Sequence, residues 1–399
     1  MGAELKVLFL AHRIPYPPDK GDKIRAFHFL EHLAASHQVW LGAAADDPAD
    51  MRYVPVLKER CADVCVAPLG PVARTLNMLS GFHLDLPLSV ARFRHRQLEA
   101  WIAHVLDEVR PDVVFVYSSA LAQYLIGRVK PGVRIVVDFV DADAEKWRAY
   151  AAKARPPMRW IYAREFASLV KFERRALDMA QSGILISETE RSLLGDFIPQ
   201  GKSKLAVIPN GVDTEYFRQD DALTDSQDIV LCGRMDYLPN VDAAQWFVES
   251  ILPDIRRACP RAVFRIVGAQ PTAEVLALAR TDGVEVTGSV PDVRPYLARA
   301  AVVVAPLRIA RGIQNKVLEG LSAGRLVVAT PNALDGIGAR AGRDILVAAE
   351  AADFSRAVTQ VLRGEAAPDL AANGRRYVVE HHQWSAQMAK LDALLFDRP

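Results

Sequence analysis

Residues 302–330, VVVAPLRIARGIQNKVLEGLSAGRLVVAT, constrain the fold more than any other stretch of this chain. A β-branched run ends at Ala305-Pro306, a loop containing Gly312 follows, and Val317, Leu318 and Leu321 then recur at helical spacing. Gly324 stops that helix, and Leu326 to Ala329 read as a second buried strand. Strand, glycine loop, helix and strand make one βαβ crossover, which implies a parallel sheet covered by helices. The start of the helix leaves N–H groups unpaired and carries partial positive charge, a setting that favours an anion. Lys316 lies in its first turns and Glu319 one turn further on. A phosphate at the helix start, with vicinal hydroxyls near the carboxylate, fits a sugar nucleotide. An ordinary crossover with a surface lysine and glutamate fits the same pattern.

The rest of the chain repeats this alternation. Strand candidates in the first half are Lys6–Ala11, Gln38–Ala43, Val64–Pro68, Val113–Tyr117, Arg134–Phe139 and Gly183–Ser187, with helical patterns in the intervals. A second series begins at Leu205–Ile208 and continues with Ile229–Cys232, Val263–Val267, Val284–Thr287 and Ala301–Ala305. The spacing therefore predicts two α/β domains, 1–205 and 206–375, with a hinge near Asn210 to Asp228. A final helical segment, 376–399, carries Tyr377, Trp384, Met388, Leu391 and Leu395 at helical spacing. At 399 residues and 51% hydrophobic content the chain can bury two cores of this size. A formal net charge of +1 gives no global field for nucleic acid. Val7–Ala11 reads as a strand, not a secretory signal, and no apolar run is long enough to span a bilayer. Cys61, Cys65, Cys232 and Cys259 lack the paired spacing of a zinc site, so free thiols in a reducing cytoplasm are expected.

Other segments carry candidate chemistry. In Ile229–Asp236, IVLCGRMD, the strand runs into Gly233, and Arg234 stands at its carboxyl end, where open α/β sheets bind ligands. A surface salt-bridge arginine is the plain alternative. Val263–Gly268 ends in a glycine that would let a nucleotide approach closely. In Ile208–Phe217, IPNGVDTEYF, Asn210-Gly211 is a tight-turn pair able to take positive φ, and its expected job is structural. Near the start, the strand ends at His12-Arg13, and Asp19-Lys-Gly-Asp-Lys23 leads into a helix beginning near Ile24. Val136–Asp143, VVDFVDAD, puts Asp138 and Asp141 at a strand's carboxyl end, where either could orient or deprotonate an acceptor hydroxyl. Asp141-Ala-Asp143 also matches a DxD metal pattern, a common and weak signal.

Together these segments resemble family 4 glycosyltransferases of the GT-B fold. The resemblance implies two Rossmann-like domains facing a central cleft, with the C-terminal helix crossing back to the first. It implies transfer of a sugar from a nucleotide-diphosphate donor to an acceptor hydroxyl, with retention and without a metal or other cofactor. Glu319 matches the second of two glutamates eight positions apart and would hold the donor ribose. The first falls at Arg311, a departure that would set an arginine against a phosphate or an acidic sugar. Arg234 and Lys316 would neutralise the leaving diphosphate as catalytic residues, with the Gly312 and Ile313 amides facing it. The lysine that many members carry shortly after the arginine is replaced here by Leu238-Pro239-Asn240. Gly233 and Gly268 would line the donor, and Val290 and Pro291, in Gly288–Asp292, would meet the base. His12, Arg13, Gly21, Asp22 and Lys23 would form the acceptor loop.

The run DFVDADAEKW further resembles a subgroup associated with exosortase and exopolysaccharide gene clusters. A basic and aromatic stretch from Lys153 to Arg175 could rest on anionic lipid as an interfacial helix, or pack on its own domain with a solvated face. The expected setting is cytoplasmic, peripheral at the inner face of the plasma membrane, with a glycan or lipid-linked acceptor. Two other classes remain open at this point: a nucleotide-sugar 2-epimerase sharing the fold, and a non-catalytic nucleotide-binding scaffold.

Overall fold

The computed structural model describes residues 4–18, 21–45, 47–218, 226–310 and 312–396. It divides into two compact units, one of Met1–Ile208 with Met388–Pro399 and one of Pro209–Gln387.

The first unit is built on β1 (Lys6–Ala11), β2 (Gln38–Ala45), β3 (Asp63–Pro68), β4 (Val113–Tyr117), β5 (Arg134–Val140), β6 (Ser182–Leu185) and β7 (Leu205–Val207). All pair in parallel, in the order β3-β2-β1-β4-β5-β6-β7. The central strands VLFLA and VVFVY are buried throughout, because helices cover both faces of a parallel sheet and leave no place for polar alternation. Phe9 and Phe115 meet across β1 and β4 at 5.1 Å between ring centroids. The strand at Leu205, expected to open the second series of strands, belongs to the first. Leu205–Val207 pairs with Gly183–Leu185 and so closes the first sheet.

The second unit uses β8 (Asp228–Cys232), β9 (Val263–Val267), β10 (Val284–Gly288), β11 (Val302–Ala305), β12 (Val327–Ala329) and β13 (Leu346–Val347), also all parallel, ordered β10-β9-β8-β11-β12-β13. The stacked Phe247 and Phe264, 4.2 Å apart, with Phe354 edge-on to Phe247, form the aromatic centre of its core. In each sheet the order reverses beside the first strand, between β1 and β4 and between β8 and β11. Ligands of Rossmann-like sheets bind outside the carboxyl ends at such points.

One expectation about helices needs correction. The segment 376–399 is not one helix. Leu370–His381 ends at His382, whose ring nitrogens lie 3.1 Å from the Asn210 carbonyl oxygen and 2.9 Å from that of Ile337. A new helix, Trp384–Phe396, then starts, and from Met388 it belongs to the first unit. There Leu391 and Leu395 are buried, and Arg134 Nε donates to the Leu394 carbonyl at 2.9 Å. The basic stretch after Lys153 takes the second of its two expected forms, a helix packed on its own domain. In Met158–Met179 the residues Leu169, Phe172, Ala176 and Leu177 sit in the core, and the Glu165 carboxylate accepts from the Leu88 and Ser89 amides at 2.8 Å each. Its apolar residues from Leu169 to Leu177 are used in the core, while Trp160 near its start stays exposed.

Candidate functional site

The second unit gathers most of the expected donor residues at its topological switch point. The helix Asn315–Ser322 follows β11, and Gln314 at its N-cap supplies no side-chain cap. Gly312 turns the preceding loop with φ 64°. Val317, Leu318 and Leu321 bury one face of this helix, which leaves Lys316 and Glu319 half-buried on another. Gly320 allows close packing on Val303 and Val327. Lys316 Nζ donates to Asn240 Oδ1 at 2.6 Å, and Asn240 Nδ2 donates to the Arg234 carbonyl at 2.8 Å. Asn240 is buried in the first turn of Leu238–Trp246 and was not among the residues singled out from sequence. It stands in the stretch where the family resemblance leads one to expect a lysine. An amine reaches this place from the helix Asn315–Ser322 instead, and the asparagine holds it. A Cβ at Gly233 would collide with that amide, so the glycine gives Asn240 its place.

Burial pushes the Lys316 ammonium down to about 8, against the pull of Glu319 and Cys232. Burial likewise raises the Glu319 carboxyl to about 7, opposed by Lys316. A cation and an anion that titrate near neutrality beside a helix N-terminus suit a ligand with both phosphate and hydroxyls. Arg234 reaches Asp236 through Nε at 3.1 Å and Nη2 at 2.8 Å, and it also donates to Gln270. Gln270 holds φ 56° beyond the end of β9, a conformation rare for a non-glycine residue and found preferentially where function over-determines the backbone.

Some donor expectations change. Gly268 has φ 151°, and a Cβ there would overlap the Gly233 carbonyl oxygen. Contact between two backbones therefore accounts for this glycine without a nucleotide. Gly211 lacks positive φ; it is required because the Trp384 ring lies against it. Asn210 does anchor the site from behind, donating through Nδ2 to Asn315 Oδ1 at 3.2 Å. Half-buried Val290 and exposed Pro291 follow Gly288, while Asp292 pins their segment by accepting from the Arg294 amide at 2.9 Å and from Tyr216 at 3.3 Å. Ile313 is buried and offers only its backbone. Arg311, Asp19 and Lys20 lie outside the described residues.

The first unit brings His12, Arg13 and Asp22 together at the carboxyl end of β1. Arg13 Nη1 reaches Asp22 Oδ2 at 2.6 Å, and His12 Nε2 lies 3.7 Å from the same oxygen. Burial tends to raise the Asp22 carboxyl, but His12 and Arg13 outweigh it and hold the group well below the usual range. The His12 ring stacks on Tyr117 at the end of β4, and the Tyr117 hydroxyl donates to the Asp22 carbonyl at 2.7 Å. Gly21 and Asp22 open the helix Gly21–Ala34 instead of forming a loop ahead of it. Ser118 and Val140 adopt φ 73° and 68° at the ends of β4 and β5, so backbone strain gathers at the same edge of the sheet.

Two residues do not suit the roles expected of them. Lys23 is buried, with Nζ 2.7 Å from Asp50 Oδ2, and cannot meet an acceptor. Asp138 is fully buried: Oδ2 accepts from Arg25 Nε at 2.7 Å and Oδ1 from the Val140 amide at 3.0 Å. Burial raises its carboxyl, with Arg25 pulling the other way, but both oxygens are already engaged. Asp138 is a structural ion-pair partner and not a base for a bound alcohol. Asp141 lies beyond the end of β5 and Asp143 opens the following helix, Asp143–Lys153. Among the described residues no three potential metal-ligating side chains converge.

Comparison with known proteins gives this geometry a class. Residues 23–216 match the family described as Glycosyltransferase Family 4, and residues 226–364 match Glycosyl transferases group 1. Sucrose-phosphate synthase from Thermosynechococcus elongatus is similar in structure, with a TM-score of 0.71, 18% identity and 98% of each chain covered. Anabaena HepE in complex with UDP-glucose is similar at a TM-score of 0.66 and 14% identity, over 97% of this chain and 98% of that one. A glycosyltransferase from Rickettsia africae is similar at 0.63 and 12%, over 98% of both chains. No curated protein matches the sequence. The fold is therefore GT-B. The chain is a glycosyltransferase of the GT-B fold, with a family 4 domain over 23–216 and a group 1 domain over 226–364.

Proposed function

We propose that this enzyme moves a hexose from a UDP-sugar to an acceptor hydroxyl with retention of anomeric configuration. The observation that carries the reading is the linked set Arg234, Asn240 and Lys316 beside the start of the helix that bears Glu319. In the reading, Arg234 and Lys316 take up charge as the diphosphate leaves, aided by the amides at Gly312 and Ile313, while Glu319 accepts from the ribose hydroxyls. The positive charge comes from side chains, so the step needs no metal. The structural likeness to HepE, a protein seen with UDP-glucose, supports uridine as the nucleoside.

In the first unit, His12, Arg13 and Asp22 are the groups offered to the acceptor, with Asp141 as a further polar contact. We assign the acceptor to the glycan or lipid-linked class, in exopolysaccharide assembly of the exosortase-associated kind, on the resemblance of the DFVDADAEKW run. Such an acceptor would place the enzyme at the inner face of the plasma membrane. A thermal-shift panel of nucleotide sugars would identify the donor, and NMR of the product formed with a membrane extract would read its anomeric configuration. A product of inverted configuration would overturn retention. Interconversion of a UDP-sugar with no acceptor present would instead favour epimerase chemistry.

A further inference from the structure

The helix Pro71–Ser80 in the first unit is built inside out. None of its residues is buried. Val72, Leu76 and Leu79 recur at helical spacing and are 74%, 62% and 56% exposed. Its half-buried residues are the polar ones, Arg74, Asn77 and Ser80, and Asn77 Nδ2 ties the helix to the body by donating to the Arg94 carbonyl at 2.7 Å. A surface helix ordinarily turns its apolar stripe to the core; here the polar stripe takes that place. Past Gly81 the chain continues with exposed Phe82 and Leu84. The Arg164 guanidinium lies over the Phe82 ring, 4.6 Å from its centroid, and the 68%-exposed Trp160 stands one turn before Arg164. The exposed stripe thus runs on into Phe82, which Arg164 ties to the helix carrying exposed Trp160, beyond the usual scatter of single exposed hydrophobes.

Charge identifies the partner. Between Asp63 and Glu99 the chain carries Arg74, Arg92, Arg94 and Arg96 against one acid, Asp85, with Arg94 also 4.0 Å from Glu99. A second copy docking through the same patch would bring like charges together, because a two-fold interface sets a surface against itself. A surface with acyl chains beneath a layer of phosphates matches both the leucines and the arginines. We propose that the helix Pro71–Ser80, with Phe82 and Trp160, docks the enzyme on an anionic lipid bilayer. The proposal deepens the reading above by naming the surface that holds the enzyme near a lipid-linked acceptor, and its test makes no use of sugar transfer.

The full chain is floated with vesicles of phosphatidylcholine alone and with vesicles containing phosphatidylglycerol. It should rise with the anionic vesicles and stay behind with the neutral ones. The double variant Leu76→Asp/Leu79→Asp should lose at least about tenfold in partitioning, from the apolar burial removed. Its melting temperature and UDP affinity should stay at wild-type values, since neither residue is buried. The proposal falls if the wild-type chain ignores anionic vesicles or if the double variant floats as well as the parent. It also falls if the wild-type chain is a dimer that the variant converts to monomer, which would assign the patch to a second copy. If vesicles bind but no UDP-sugar is turned over, the transfer reading fails while the docking surface stands.

Discussion

Lys316 and Glu319 titrate close together, and that closeness has a consequence for pH. Lys316 is charged below about 8 and Glu319 above about 7. Donor affinity of the free enzyme should therefore peak in a narrow window between these values. It should fall on the alkaline side as the ammonium is lost, and on the acid side as the carboxylate is protonated. A flat profile from pH 6 to 9, measured by titration with UDP, would count against this pair. Asp138 makes the opposite kind of prediction. Removing it strands Arg25 in the core, so Asp138→Ala should cost about 3–5 kcal/mol of stability, read as a lowered denaturation midpoint. Lost activity with an unchanged midpoint would restore it to the chemistry. The places of Arg234, Lys316 and Glu319, at a strand end and on the helix Asn315–Ser322, were legible in the sequence, while the roles proposed for them came from the family resemblance. Asn240 was not legible, because an asparagine after Leu-Pro reads as a missing lysine until its amide is seen to grip an amine supplied 76 residues later.

At the level of elements, local pattern gave the strands, but pairing decided their sheet. Leu205–Val207 has the same apolar character as a first strand of the second unit, and only its register against Gly183–Leu185 shows otherwise. The C-terminal break was hidden for a similar reason. Apolar spacing runs from Tyr377 through Leu395, whereas the stop at His382 depends on distant carbonyls at Asn210 and Ile337. The helix Trp384–Phe396 then fastens onto the first unit, with His32 Nε2 2.8 Å from Asp392 Oδ1 and Leu391 fully buried. Leu391→Ala should destabilise that unit by about 2–5 kcal/mol. Hydrogen exchange in β1 and β4 would register the loss, while β8 and β11 should keep their protection. Equal loosening of both sheets would contradict the division at Met388.

For the whole molecule, the proposed function assigns separate tasks to two units with matching scaffolds. Each sheet reverses its order beside its first strand and presents polar side chains at that edge: His12, Arg13 and Asp22 in one unit, Arg234 and Lys316 in the other. A fragment spanning 209–387 that melts cooperatively should bind UDP with an affinity within about tenfold of the full chain, a margin of 1.4 kcal/mol. Failure of such a folded fragment to bind would mean that the first unit supplies essential donor contacts.

If cations in the second unit grip a diphosphate, calorimetric titration of UDP into the full chain will read that grip. Arg234→Ala and Lys316→Ala should each weaken binding by at least about tenfold, since each removes a charge-assisted contact, with little change in melting temperature. Wild-type affinity in both folded variants would mean that neither cation holds the diphosphate.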